Sequence, residues 1–285
     1  MVKFILLQNR RLLFGTFFLF LSGLVFFATS LQTTWLILLA SVIFAAIMMA
    51  LAVLGIALFP RFRSIYEILG VLSLIFAVLT ALSPGAFAFI GDTGDLIAFM
   101  IAFAVIEYFL YGHGQHKLPA PSRWQGRSHF TVDLAPEDVW QQLVPNPEDP
   151  GRYYSGTLKE MTATDGDDEF RVLWNSGGSS YVVHTIKVTE NTPFQRFAYS
   201  YEGLVSEQNS ATNSGTWMVT LCPDGTGGTQ VEIVETVERT RIGFALFLWF
   251  DNLAAQVTES ASAVLMGRKD RSMLAINRQY VAETS

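Results

Sequence analysis

From Leu12 to Pro60 the chain carries no charged residue. A bilayer core about 30 Å thick takes roughly 20 apolar residues per helical crossing, so this single run is long enough to cross twice. The polar cluster Ser30, Gln32, Thr33 and Thr34 marks the turn, which predicts helices over about residues 12–29 and 35–59. Trp35 falls where an indole prefers a membrane interface, and Pro60 ends the second helix. Two further apolar blocks predict helices over 65–82, closed by Ser83, Pro84 and Gly85, and over 94–111, ending in Tyr108 and Tyr111. The expectation is a transmembrane domain of four helices over residues 1–117.

The basic residues predict its orientation. Lys3, Arg10 and Arg11 precede the first helix, Arg61 and Arg63 fill the second turn, and Lys117, Arg123 and Arg127 follow the fourth helix. All of them lie on one side, which the positive-inside rule assigns to the cytoplasm, and Asp92 and Asp95 lie on the other. The reading is a multi-pass protein of a plasma (bacterial inner) membrane with both termini cytoplasmic. No clean small-x-small site follows near Thr29, so the first helix is expected to stay as an anchor. Glu107 is an ionisable group inside a predicted span, a costly placement that suggests function or a helix–helix hydrogen bond, with Glu67 on the same side.

Charge is divided unevenly. Of 19 Lys/Arg and 25 Asp/Glu, residues 1–120 hold six and four, which leaves thirteen and twenty-one for the rest. An acidic domain repels phosphate backbones, which argues against a nucleic-acid partner. The one cysteine, Cys222, cannot form an intramolecular disulfide; it sits in an alternating pattern and is expected to pack. His113 and His116 are three apart with no third ligand nearby, and no Cys/His set exists for zinc, so neither a metal nor a cofactor is expected.

Residues 118–127, with Pro119 and Pro121, read as a short stiff linker to a domain over 128–285. That domain opens with a strand, His129 to Val132, and a short helix from Pro136 with Glu137 and Asp138 at its positive end. Six alternating segments follow: 157–162, 169–175, 181–189, 195–201, 215–221 and 230–237, separated by Gly, Asp, Asn and Pro clusters. Period-two alternation of this kind marks antiparallel strands with one buried face. The run from Asp224 to Gly228 lies between two strands and lacks a lysine and a following helix, so it reads as a hairpin turn and not a phosphate loop. A long helical pattern closes the chain, from about Gly243 to Gln279.

Three segments then become familiar: Ala135-Pro-Glu-Asp-Val-Trp140, the stretch from Val188 to Tyr199, and the hairpin from Leu221 to Val231. Together with the element order they resemble the SRPBCC superfamily, which includes START domains and polyketide cyclases. The resemblance implies an α+β helix-grip domain, in which a curved antiparallel sheet wraps around a C-terminal helix and encloses an apolar cavity. It also implies that the cavity holds a lipid or another hydrophobic small molecule, and that some relatives carry out cyclisation or dehydration there. No catalytic motif carries over.

The alternation nominates the cavity wall: Trp174, then His184 and Ile186, then Phe197, Tyr199 and Tyr201, then Trp217 and Val219, then Ile233 and Glu235. His184 and Glu235 stand on otherwise apolar rows, where a desolvated carboxyl and a neighbouring imidazole would suit acid/base chemistry. Each also suits a strand end, solvated or satisfied by a neighbour. Ile242 to Phe250 is uncharged, too short to span and apolar all round, so Phe244, Phe247, Trp249 and Phe250 are nominated for docking on the membrane side, against the membrane surface or the cytoplasmic ends of the protein's own helices. Three roles remain open at this level: a membrane-anchored binding protein, an accessory or scaffold subunit of a membrane protein complex, and an enzyme on a hydrophobic substrate.

Overall fold

The structure, a computed structural model, describes residues 2–86, 93–112, 114, 122–155, 157–164, 166, 168–177, 180–204 and 214–275. It divides into two units, Met1–Leu118 and Pro119–Ser285. His113, His116 and the stretch Lys117 to Pro121 lie outside the described residues.

The first unit consists of helices. A short α1 (Val2–Leu7) gives way at Gln8 to α2 (Asn9–Ser30), followed by α3 (Thr34–Leu58), α4 (Ile65–Leu82) and α5 (Gly94–Leu110). α2, α3 and α4 are long and apolar enough to cross a membrane. α5 holds no basic residue but has 17 residues, so it rises about 26 Å, at the short end for a crossing. α2 starts earlier than the charge-free run predicts because Arg10 and Arg11 are absorbed into it: Arg11 is fully buried and faces a partner.

Small residues set the packing. α2 turns Arg11, Gly15, Leu19 and Ser22 inward at helical spacing. A Cβ on Gly70 of α4 would stand 2.8 Å from the Gly15 carbonyl oxygen, so these two glycines are where the backbones of α2 and α4 cross. On the other side of α2, Gly23 meets Ser41 of α3, where a Cβ would lie 3.2 Å from the serine Cα. The Ser22 hydroxyl donates to the Ser73 carbonyl at 3.0 Å, which ties the α2–α4 contact further.

At the end of this unit where the basic residues gather, Arg11 forms a buried ion pair with Glu67. The Tyr111 hydroxyl donates to the same carboxylate oxygen at 3.0 Å. The fully buried Gln8 side chain has no hydrogen-bond partner among the described residues. Glu67, expected on the same side as Glu107, has a cation as its partner, as the cost of a buried charge requires, and Tyr111 reaches it from the end of the helix that carries Glu107.

The second unit is an antiparallel sheet with helices, the helix-grip arrangement. The strands are β1 (Ser122–Val132), β2 (Leu158–Ala163), β3 (Glu169–Gly177), β4 (Ser180–Thr192), β5 (Arg196–Leu204), β6 (Ser214–Pro223) and β7 (Thr229–Thr240). Their order is β1-β7-β6-β5-β4-β3-β2. β2 to β7 are a simple meander, and β1 closes beside β7. Register shifts at Ser122/Trp124, Leu158/Glu160 and Val188/Glu190 bend the strands, and bulges of this kind give a sheet its curvature.

β1 begins seven residues before the predicted His129, inside the segment read as linker. It pairs with β7 along nearly its whole length, and Trp124, Gly126 and Ser128 alternate inward. The predicted long C-terminal helix is two helices, α7 (Ile242–Phe250) and α8 (Leu253–Leu265). Asn252 between them is left-handed at φ 51°, a conformation asparagine tolerates better than most residues and one that breaks the helix. A left-handed Gly267 follows the end of α8, and the last ten residues of the predicted helix and tail, 276–285, are outside the described set.

α8 faces the sheet with Val257, Ala261 and Leu265, and its small Ser260, Ala261, Ser262 and Ala263 are all buried. The Ser128 hydroxyl donates to the Ala254 carbonyl at 2.6 Å, fixing the helix on β1. α6 (Pro136–Leu143) inserts Val139 and Leu143, both fully buried, into the same core. The Asp224–Gly228 run is a hairpin turn: Asp224 accepts from the Thr226 and Gly228 amides at 2.8 and 2.9 Å. Cys222, expected to pack, is exposed, because it falls on the outward face of β6 between the inward Leu221 and Pro223 at the strand end.

Candidate functional site

Between the concave sheet and α7/α8 lies a cavity of about 290 Å³. Its sheet wall is Trp174, Val182, His184, Ile186, Tyr199, Tyr201, Trp217 and Glu235; Phe244, Leu253 and Val257 close it from the helices. Tyr153, Tyr154 and Ser155 complete it from the loop after the turn Pro150–Arg152, with Leu274 from the chain beyond α8.

The register explains the wall. Glu235 pairs with Trp217, which pairs with Tyr199, so these three stand in one row across β7, β6 and β5. The Tyr199 and Trp217 rings stack at 5.2 Å and 17°. In the next row Gly215 replaces a side chain with empty space, and the Tyr201 phenol lies over it: a Cβ on Gly215 would stand 2.6 Å from the Tyr201 hydroxyl. Tyr201 stacks on its other side with the His184 imidazole, 4.9 Å between centroids.

Burial sets the protonation states. Glu235 is enclosed by protein, its remaining surface facing the cavity, and burial pushes its pKa up to about 7. His184 is driven down to about 4 by the same loss of solvation, so it is neutral at physiological pH. Burial raises the Tyr153, Tyr199 and Tyr201 phenols, with nearby Glu235 adding to each. Two buried ring nitrogens, Trp174 Nε1 and His184 Nε2, have no hydrogen-bond partner among the described residues. The wall can therefore offer ring hydrogen-bond groups and a carboxyl that holds or releases a proton near neutrality.

His184 and Glu235 do line one cavity, but β5 and β6 separate their strands. Three interstrand steps amount to about 14 Å measured along the sheet, so the two groups do not stand on neighbouring strands. Three other nominated residues do not border this cavity. Val219 and Ile233, 0% and 2% exposed, are closed core, because α8 and α6 pack over that part of the sheet. Phe197 faces a second cleft of about 410 Å³, together with Trp140, Phe170 and Val188. There Arg152 is held by Asp149 at 2.8 Å and Gln141 at 2.7 Å.

On α7, Phe244 and Trp249 are exposed and Phe247 half-buried, but Phe250 is 4% exposed and unavailable for docking, since helical spacing turns it inward with Gly243. The largest omission from the sequence reading is Tyr153–Tyr154. Its signal was there: two adjacent aromatics directly after a Pro-rich loop need a buried place to stand, and strand periodicity does not register them.

No protein-family model matches the chain, and no curated protein matches it. Among solved structures, a conserved protein from Geobacillus kaustophilus is similar at 16% identity and a TM-score of 0.40, covering 50% of this chain and 93% of that one. Ara h 8.0201 is similar at 11% identity and a TM-score of 0.38, covering 52% and 100%. DynU16, a protein of the dynemicin biosynthetic locus, is similar at 16% identity and a TM-score of 0.36, covering 54% and 50%.

Proposed function

We propose that the protein is a membrane-anchored binding protein whose helix-grip domain holds a lipid or another hydrophobic small molecule. One observation carries this reading: an open-mouthed, largely aromatic cavity whose buried Trp174 Nε1 and His184 Nε2 lack hydrogen-bond partners among the described residues. Buried polar atoms are ordinarily satisfied, and an apolar guest with one polar end would satisfy them. The anchor is read as four crossings, α2 to α5, with both termini and the C-terminal domain cytoplasmic. The one-sided distribution of Lys and Arg supports that orientation.

The test is gentle extraction of the full chain followed by mass spectrometry of everything bound. A small apolar molecule is expected with the native chain. It is lost on Val182→Phe, which puts a larger ring into the cavity from a half-buried wall position. A stoichiometric protein with no small molecule would replace this reading with that of an accessory subunit.

A further inference from the structure

Glu235 is the one carboxyl of the cavity wall, and among the described residues it has neither a hydrogen bond nor an ion pair. Its neighbours in register account for this. On β6 it stands opposite Trp217, and on β1 opposite Gly126, which has no side chain to offer. A Cβ on Gly126 would collide with the Trp124 ring, so an indole lies to each side of Glu235. The Tyr199 ring stacks on Trp217, and the Tyr153 phenol is hydrogen-bonded to that of Tyr199 and not to the carboxyl. From the helices come only Phe244, Leu253 and Val257, all uncharged.

A carboxyl taken out of water is ordinarily paired, and here the protein supplies no partner. What the carboxylate and the surrounding ring faces have in common is attraction to positive charge: the face of an aromatic ring carries the negative end of its quadrupole, and the attraction strengthens when the cation is desolvated. A metal ion is not the cation in question, since no group of three His, Cys, Asp or Glu stands together among the described residues. A compact ammonium is strongly hydrated and gives up much on entering such a chamber. A cation whose charge is spread over alkyl groups gives up less, and its alkyl surface packs against the rings.

From the unpaired carboxyl, the rings around it and the absence of a lining lysine or arginine, we infer that the cavity takes an organic cation, a tertiary or quaternary ammonium head on an apolar body. The head sits at Glu235, against the faces of Trp217, Tyr199 and Tyr201. The body extends towards β3 and β4, where Trp174 Nε1 is placed to donate to an ester or ether oxygen. This assignment deepens the proposed function and rests on it, because it names the class of molecule that the same cavity holds.

The test compares phenyltrimethylammonium with tert-butylbenzene, which has the same shape and no charge. Binding to the full chain in uncharged detergent micelles is measured by equilibrium dialysis, with protein-free micelles as the blank. At pH 8 the cation is expected to bind about ten-fold or more tightly than its isostere, and Glu235→Gln removes the preference. If that variant folds poorly, the native chain at pH 5 serves instead. Glu235, with a pKa of about 7, then takes up a proton, whereas His184, lowered to about 4, and the raised Tyr153, Tyr199 and Tyr201 phenols stay neutral throughout. Arg127 on β1, Glu202 on β5, Glu232 and Glu238 on β7, and Asp251 and Glu259 beside α8 lie outside the wall. The cation's advantage is expected to fall about ten-fold or more between pH 8 and pH 5, with the isostere unchanged. Equal binding of the two probes, or a preference that survives Glu235→Gln or the drop in pH, overturns the inference and leaves the proposed function standing. Failure of both probes to bind overturns the inference, and the proposed function falls with it only if mass spectrometry also finds no bound small molecule.

Discussion

The His184 imidazole lies nearly parallel to the Tyr201 ring, 4.9 Å between centroids and 25° apart. Tyr201 in turn feels the charge of Glu235, three strands from His184. One phenol therefore stands between the cavity's imidazole and its carboxyl, and each of these two titrates against burial and not against the other.

That arrangement predicts opposing pH dependences. His184 has its pKa lowered from 6.5 to about 4 on folding, so stability falls as pH drops through that window. Glu235 has its pKa raised from 4.5 to about 7, so stability falls as pH rises through that one. The native chain is expected to be nearly flat where the windows overlap. Glu235→Gln unmasks a stability that rises with pH, and His184→Phe one that falls with pH, each by about 3 kcal/mol at most. Denaturant midpoints from tryptophan fluorescence at a series of pH values measure both slopes; two flat profiles would contradict the assignment.

Tyr199 and Trp217 are 5% and 4% exposed, so they are core as well as cavity wall. Trp217→Ala is expected to cost about 3–5 kcal/mol and to unfold the domain along with any loss of ligand. Phe244→Ala is the better reporter of binding, since Phe244 is 37% exposed. Retention of the co-purifying molecule drops in that variant while its denaturant midpoint holds.

Removing one partner of the Arg11–Glu67 pair strands a buried charge. Glu67→Ala is expected to lower stability by about 3–5 kcal/mol, and the double change Arg11→Met with Glu67→Leu to recover most of it. Thermal aggregation of the detergent-extracted chain ranks the variants. A double variant no better than the single one shows that the pair is not the unit that matters.

Glycines in the helical unit divide into two kinds. At Gly70 a methyl group would meet the Gly15 backbone, and Gly70→Ala is expected to cost about 1–3 kcal/mol by overpacking. At Gly55 nothing lies within 4 Å, and Gly55→Ala is expected to be neutral or to stabilise by up to about 1 kcal/mol through helix propensity. The same aggregation assay distinguishes them.

Orientation is read by cysteine labelling of intact cells in a Cys222→Ser background. A cysteine at exposed Thr93 is expected to react with an impermeant reagent, and one at Phe62, 63% exposed, to be protected. Ser64 would be a poor probe, being 7% exposed and shielded on either side. The reverse pattern overturns the cytoplasmic placement.

The inward rows were legible because period-two alternation is a local property: Phe197, Tyr199 and Tyr201, or Trp217, Val219 and Leu221, show their shared face without knowledge of any neighbour. Which of them meet a cavity was not legible, since that depends on where α6 and α8 lie over the sheet. Val219 is closed over and Trp217 is not. The Arg11–Glu67 pair joins residues 56 apart, and no local pattern announces such a contact. The split of the last helix rests on one left-handed asparagine within a run whose apolar residues continue past it.

Among the described residues neither lysine nor arginine lines the cavity, and burial raises the pKa of its one carboxyl, Glu235, to about 7. Under the proposed function such a chamber would act as a filter on electric charge. An anionic headgroup that entered would find no countercharge and would force Glu235 to keep its proton, whereas an alcohol, ester or ketone meets neutral rings and a carboxyl able to donate. If the cavity holds the ligand proposed above, selection by charge would thus precede selection by shape, and a molecule that differs from its competitors only by an ionised carboxylate would be disfavoured before its hydrocarbon is tested for fit.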